Sequence, residues 1–414
     1  MISLSPPRPL RFLRGALFSF YVLLFFCLPL IIDTINGRAT VAEGENMRFL
    51  VIPDSFKGSM TARTVCDTVK AAILRRDPAA AVTAFPAFDG GEGSAECLSE
   101  IYGGRMVGVS ATNATGRRVS STFGMKDDTA FIAVADTSGL PGAKIRNPFV
   151  TTTRGFGEQI AEAIRRGAKH IVMGLGGSST NDGGAGAAVA LGAVFRDEAG
   201  NPFLPTGGTL GKIASVDVTE LKKRIAGVRF TALCDVTNPL TGENGCSFVY
   251  AKQKGARSRK KRAELDEYMR HYAEVTAFLG TSPDLPGSGA AGGLGYFVRA
   301  FLSGESVSGA DFFLDAIRFD ERVGDVDYVV CGEGKFDATS GQGKICGKII
   351  ARAAKHGKPV AVFCGATENA SAPAGTVVRT INDESLTLEE NFAKSRENLS
   401  AAVDAWLGEL YANR

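Results

Sequence analysis

The sequence predicts an α/β protein of two domains: a doubly wound, mostly parallel sheet of the flavodoxin-like kind, with a second α/β domain inserted into it. Three observations predict this. From Met47 onward, Val- and Ile-rich runs alternate with amphipathic helical stretches, the pattern of a largely parallel sheet covered by helices. Two Val-rich runs late in the chain, 327–331 and 359–363, have a helical stretch between them and resemble the opening strand–helix–strand unit. Between these two ends the pattern changes to short alternating runs with turn signals, as expected of antiparallel strands.

In chain order, residues 48–53 (RFLVIP) form the first strand. Residues 61–76 follow as an amphipathic helix, with Ser59 or Thr61 as its cap. A second strand covers 81–86, and a helix opens over 91–100 behind Asp89-Gly90-Gly91-Glu92-Gly93. The antiparallel runs are 105–109, 118–124 and 129–135. A helix over 153–165 leads to a strand at 170–173, a glycine-rich loop and helix-like residues 187–191. Residues 228–234 make another buried strand ending at Asp235, and 263–279 a helix. The small-residue loop 286–295 (PGSGAAGGLG) enters a helix over 296–301. The two late strands end at Gly332-Glu333-Gly334 and Cys364-Gly365. These elements predict one domain built from 47–105 plus 286–411 and an inserted domain over 106–285. In such folds sites lie at the carboxyl ends of strands and between domains.

The first 46 residues are a separate matter. Residues 16–32 (ALFSFYVLLFFCLPLII) are uncharged and strongly apolar, with Arg8, Arg11 and Arg14 before them. This resembles a signal peptide or short signal anchor, although 17 residues is at the low end for a membrane span. The segment reads as an anchor for a cytosol-facing enzyme, as a targeting signal, or as an upstream misread of a start at Met47. A cytoplasmic protein is the expectation, with membrane anchoring or organelle targeting as alternatives and membrane contact only if residues 16–32 are retained.

Composition excludes several classes. The formal charge of +3 is too small to imply nucleic-acid binding. The basic run 252–262 (KQKGARSRKKR) has no interleaved aromatics and reads as a solvated helix start. Eight cysteines show no C-x-x-C spacing, as expected of reduced intracellular thiols. Three histidines, His170, His271 and His356, form no metal-ligand pattern. No G-x-S-x-G elbow is present, which disfavours a Ser-His-Asp hydrolase.

Chemistry is concentrated at the strand ends. Gly174-Leu175-Gly176-Gly177-Ser178-Ser179-Thr180-Asn181-Asp182-Gly183-Gly184-Ala185-Gly186 joins a strand to a helix. Such a turn aims backbone N–H groups and a helix N-terminus at one concavity, which favours an anion such as phosphate. It matches neither G-x-G-x-x-G with a distant ribose acid nor G-x-x-x-x-G-K-[ST]. Four other strand ends carry acids: Asp54-Ser55-Phe56-Lys57, Asp89 to Glu92, Asp235 to Asn238, and Glu333-Gly334-Lys335-Phe336-Asp337. Backbone donors, cations for phosphates, carboxylates for Mg²⁺ and a base for a hydroxyl are the parts phosphoryl transfer needs.

PDSFKGS, DGGEGS, NPFVTTTRGFGE, GLGGSSTNDGGAG, CDVTNPLTGENG, Gln253-Lys254-Gly255, GSGAAGGLG and GEGKFD, in this order, resemble the bacterial-type glycerate kinase family (class I glycerate 2-kinases). The resemblance covers about residues 47–410. It implies ATP-dependent phosphorylation of D-glycerate to 2-phosphoglycerate, with Mg²⁺, in a cleft between two α/β domains. A kinase for another small hydroxy acid, one giving 3-phosphoglycerate, and a non-catalytic glycerate or nucleotide sensor are the alternatives. The family usually has arginine where Lys335 stands, and lysine lacks its bidentate fork.

Asp235 is the first candidate to orient or deprotonate the substrate hydroxyl, Asp182 the second, with Lys57 beside them. Asp89 and Glu92 are the expected Mg²⁺ ligands. Expected to bind substrate or nucleotide are Asp54, Ser55, Gly90, Gly91, Gly176, Gly177, Ser178, Thr180, Asn181, Gly183, Asn238, Gly292, Gly293, Gly332, Glu333, Lys335 and Asp337. ATP falls on either the 176–184 or the 289–295 loop. The expected partners are small molecules, D-glycerate and ATP, with no nucleic acid and a homodimer left open.

Overall fold

Phe49, Leu50, Val51 and Ile52 are apolar on both faces of the first strand, so it belongs inside a parallel sheet covered on both sides. The computed structural model, which describes residues 46–413 apart from 89, 92, 141–142, 144, 338–343 and 369–372, has it there. The apolar run 16–32 lies outside the described residues. No described helix is long and apolar enough to cross a membrane.

The strands are β1 (Arg48–Pro53), β2 (Ala81–Ala84), β3 (Arg105–Thr112), β4 (Arg118–Lys126), β5 (Thr129–Ala133), β6 (His170–Gly174), β7 (Val194–Arg196), β8 (Pro202–Phe203), β9 (Ser215–Asp217), β10 (Arg229–Leu233), β11 (Glu305–Val307), β12 (Tyr328–Asp337), β13 (Val360–Glu368) and β14 (Thr376–Thr380). The first sheet runs β14-β13-β12-β1-β2, all parallel. Numbered by occurrence within that sheet, the order is 2-1-3-4-5, the flavodoxin-like arrangement, with its switch point between β1 and β12. Phe49 and Val51 face the helices Ala62–Arg76 and Ser395–Ala412, where Trp406 packs edge-on against Phe49 and Phe363. Leu50 and Ile52 face Gly309–Ala316 and Ile345–Lys355.

The second sheet runs β11-β10-β6-β5-β4-β3. The strands β11, β10, β6 and β5 are parallel, and β5-β4-β3 antiparallel. The helices Arg154–Arg165, Ala185–Ala190, Arg259–Val275 and Ala290–Ala300 share a core with it. Its other face contributes Phe131, Ala133, Val172 and Leu233 to the core that also holds Leu50 and Ile52. The helices Ser94–Ile101 and Gly309–Ala316 belong to that shared core, so they form a layer common to both sheets. A third, small sheet runs β8-β7-β9.

Three details differ from the sequence reading. The run at 129–133 is antiparallel to β4 but parallel to β6, because it is the seam between the two halves of its sheet. Gly332 to Asp337 continues β12 as strand rather than loop, since β13 runs on beside it and pairs through Glu368. Ala290–Ala300 packs in the second sheet's core and β11 pairs with β10. We therefore propose that the second lobe extends to about Val307, past the expected boundary at 285. Met47–Arg414 form one compact unit.

Candidate active site

The carboxyl ends of β1, β6, β10 and β12 meet at one cavity of about 680 Å³. Asp54, Ser55 and Lys57 reach it from β1, and Gly176, Gly177 and Ser178 from β6. Asp235 reaches it from β10, and Glu333 and Lys335 from β12. Nine of the residues singled out in the sequence are thus brought together.

Asp235 follows β10 and meets the start of the helix Gly309–Ala316. Its Oδ1 accepts from the Ser308 hydroxyl at 2.7 Å, and its Oδ2 from the Ala310 N–H at 3.2 Å. Ser308 caps that helix through the Asp311 N–H, and the Lys348 ammonium donates to Ser308 Oγ at 2.5 Å. A carboxylate at a helix N-terminus is favoured electrostatically, and here its orientation is also fixed.

Asp182 has the opposite fate. It is fully buried and does not line the cavity. Its Oδ2 accepts from the Thr153 N–H at 2.7 Å, the Thr153 hydroxyl at 2.9 Å and the Gly186 N–H at 3.3 Å. Its Oδ1 accepts from the Gly184 N–H at 3.3 Å. Burial raises its carboxyl above the ordinary value, against the pull of these four hydrogen bonds. With its acceptors turned into the fold, Asp182 is placed to hold the loop and not to meet a hydroxyl in the cavity.

The glycine-rich loop divides in the same way. Gly177, at φ +74° and exposed, has open space where a side chain would stand; the nearest atom is 3.9 Å away. Beyond Ser178 the loop is buried. A Cβ on Gly183 would stand 2.5 Å from the Tyr272 ring, and one on Gly184 2.4 Å from Phe297. Gly292 and Gly293 pack against Thr180 and Gly183 and do not line the cavity. Gly90 and Gly91 serve a close approach as well: the Gly176 N–H donates to Gly90 O at 2.9 Å, and a Cβ on Gly176 would meet Gly91 N at 2.7 Å. Gly332 sits inside β12, where a Cβ would meet Phe363 O at 2.7 Å. Thr180 bonds back to Ser178 and Asn181 to Ser247; neither Thr180 nor Asn181 lines the cavity. Asn238 is tied to Tyr250 and to Asn244 O outside the lining; Tyr250 itself lines it.

The first sheet supplies charge. Asp54 is half-buried and accepts from the Ser55 N–H at 2.6 Å. Lys335 pairs with Glu368 on β13 at an exposed position. Lys344, at the N-cap of Ile345–Lys355, lies 3.4 Å from Glu333 and 3.5 Å from Asp337. Asp89 and Glu92 lie outside the described residues. Among the described residues no cluster of three His, Cys, Asp or Glu side chains forms a metal site.

Lys254 stands in the sequence within the Gln253-Lys254-Gly255 element but is not among the expected site residues. It was absorbed into the basic run, yet it is 2% exposed and lines the cavity. Its ammonium donates to Thr180 O at 2.7 Å. Burial lowers its pKa to about 8, while the fields of Cys246 and Asp182 pull upward. The signal was Gly255, at φ +115°, where a Cβ would stand 2.0 Å from Arg146 O. Only glycine fits that tight turn, and the turn carries its neighbour inward.

The profile of the glycerate kinase family matches residues 49–408. A glycerate kinase of Bacillus cereus is 38% identical over 364 residues, covering 85% of this chain and 95% of that one. A glycerate 2-kinase of Escherichia coli K12 is 39% identical over 325 residues, covering 77% of this chain and 85% of that one. A crystal structure assigned to glycerate kinase 2 of Salmonella typhimurium LT2 superposes with a TM-score of 0.72 at 35% identity, covering 89% of this chain and 99% of that one.

Proposed function

The chain belongs to the glycerate kinase family, and on that premise we propose that it transfers the γ-phosphoryl group of ATP to D-glycerate, giving 2-phosphoglycerate. It is a phosphotransferase with an alcohol acceptor, and the family implies ATP as donor. The observation that carries the reading is the convergence on one cavity of carboxylates and lysines from the strand ends of both sheets.

In this reading Asp235, held by Ser308 and Ala310, accepts the proton of the substrate hydroxyl and orients its oxygen for in-line attack. Lys254 and Ser178 hold the hydroxy acid's carboxylate at the second-sheet wall. Lys57, Lys335 and Lys344 hold the nucleotide's phosphates at the first-sheet wall. In a loose phosphoryl-transfer transition state, neutralising charge contributes more than the base does. Asp54 and Glu333 present carboxylate oxygens in the same cavity, the donor type Mg²⁺ requires, and would hold it together with the nucleotide's phosphates. When bound there, Mg²⁺ supplies charge neutralisation on the β- and γ-phosphates. Asp182 and the glycines from Gly183 onward are assigned to holding the loop. Use of ATP argues against an exported site of action and supports a cytoplasmic one.

The test is ADP release in Mg-ATP on adding D-glycerate, L-glycerate or tartronate. D-glycerate is expected to support the fastest release. Faster turnover of another hydroxy acid would transfer the assignment to that substrate. Binding without any turnover would make the protein a sensor.

A further inference from the structure

At the first-sheet end of the cavity the chain leaves β14 through Ile381 and Asn382 and enters the short helix Leu388–Ala393. Leu388 is 63% exposed and Phe392 39% exposed, and both line the cavity. Two large apolar side chains are thus held partly exposed at the cavity rim.

That helix is fixed firmly. Thr387 Oγ1 accepts from the Glu390 N–H, while the Glu390 carboxylate accepts from the Thr387 N–H at 2.8 Å, a closed capping box. Asn391 is buried; its amide donates to Asp383 O at 2.9 Å and to Leu386 O at 3.2 Å, and its Oδ1 accepts from the Asp383 N–H at 2.8 Å. Phe392 lies over the loop that carries Lys57: a Cβ on Gly58 would stand 3.1 Å from its ring. Gly365 and Ala366 of β13, both small, line the same cavity. Asn382 lines the same cavity, and a Cβ on Gly365 would stand 3.8 Å from its amide nitrogen.

We infer that Leu388, Phe392 and Asn382 form the seat of the nucleotide's purine base. A cavity rim lined by two large apolar side chains and a small-residue strand suits a heteroaromatic ring. One amide at its end can donate and accept at once, the pairing asparagine makes with the N6 and N7 edge of adenine. The rim is continuous with the cavity wall that holds Lys57 and Lys335, so phosphates leaving the base run toward lysines. The donor nucleotide thereby lies on the first sheet and the hydroxy acid on the second, beside Lys254. The inference rests on the kinase reading and adds the place and chemistry of base recognition.

The experiment is calorimetric titration of wild type, Phe392→Ala, Leu388→Ala and Asn382→Ala with ADP and with inorganic tripolyphosphate, with melting temperature and light scattering on each. Phe392→Ala is expected to weaken ADP at least tenfold, about 1.4 kcal/mol, and tripolyphosphate less than twofold. Asn382→Ala is expected to bring the KM values for ATP and GTP together while leaving the KM for glycerate unchanged. Unchanged ADP affinity in both apolar variants with an unchanged melting temperature overturns the seat. Equal weakening of ADP and tripolyphosphate overturns it too, since the rim would then act on the phosphates. A dimer falling to monomers with ADP binding intact makes the rim a subunit interface and likewise overturns it. Should wild type bind ADP as expected yet phosphorylate no glycerate, the kinase reading fails while the seat stands.

Discussion

Two aspartates at the ends of neighbouring parallel strands meet opposite fates. Asp182, after β6, is buried with four hydrogen bonds turned into its own loop. Asp235, after β10, faces the cavity and is held from behind by a helix N-terminus. In the sequence both stand in glycine- or proline-rich turns after apolar strands. The difference lies in what packs behind the loop. Tyr272 and Phe297 press on Gly183 and Gly184 and close the space around Asp182. Behind Asp235 stands Ser308 and the first turn of a helix, which leave the cavity side open. An acid at a strand end therefore faces the cavity or is locked into its own loop according to the layer behind it.

Removing the scaffold acid should have the largest effect. Asp182→Ala leaves buried N–H groups without an acceptor, at about 1–3 kcal/mol each. Loss of at least about 3 kcal/mol of stability is expected in urea unfolding. A variant that melts normally but does not turn over would make Asp182 a chemical group instead. The glycines extend the comparison. Gly183→Ala drives a Cβ into the Tyr272 ring at positive φ, and about 2–4 kcal/mol should be lost to overpacking and strain. Gly177→Val meets open space and should lose only about 1–2 kcal/mol to its backbone conformation. Affinity for ATP or glycerate should nevertheless fall more than tenfold, because the loop is remodelled at the cavity. Equal melting losses at the two glycines would erase the distinction between them.

Lys254→Met should lower kcat/KM for glycerate by about 10–100-fold, the range of a charged hydrogen bond. Its melting temperature should shift by only a few degrees, since burying the charge was itself costly. The pH dependence has two signs. Anion affinity is present below pH 8 and fades as pH rises through the pKa of about 8. Stability moves the other way: from about pH 8 toward the ordinary lysine value of 10.5 the unfolded chain keeps a proton the folded one has lost, so this contribution to stability grows. A wild-type KM for glycerate flat from pH 7 to about pH 9 would remove Lys254 from the binding site. The smallest effect belongs to Lys335→Ala. Its pair with Glu368 is exposed, so stability should change by less than about 1 kcal/mol, with the KM for ATP rising only a few-fold.

The parallel strands were legible because their cores are unbroken apolar runs, as in Phe49 to Ile52. The doubly wound sheet and the strand-end position of Asp54, Ser178 and Asp235 followed from that alternation, whereas Glu333 proved to lie within β12. The seam at β5 was not legible, since one short strand shows nothing of which neighbour it parallels. Neither was the common helical layer, because Ser94–Ile101 and Gly309–Ala316 each look like a helix with one buried face. Lys254 is visible in the sequence as part of Gln253-Lys254-Gly255, but its basic neighbours suggest a solvated face, and burial of a lysine depends on a fold that only Gly255 hints at. The glycines suggest ligand contacts in the sequence; Gly176 and Gly177 do line the cavity, and most of the others mark places where two backbones or a ring come close.

The central claim is that Asp235 does the chemistry in a glycerate kinase cavity. Glycerate-dependent ADP formation by wild type and Asp235→Asn, side by side in Mg-ATP with the product read by NMR, tests it most directly. Wild type should yield 2-phosphoglycerate and ADP in equal amounts. Asp235→Asn should bind glycerate and melt like wild type but lose about 10²–10⁴-fold in kcat. An Asp235→Asn rate within a few-fold of wild type, or wild-type ADP release that ignores glycerate, would contradict the account.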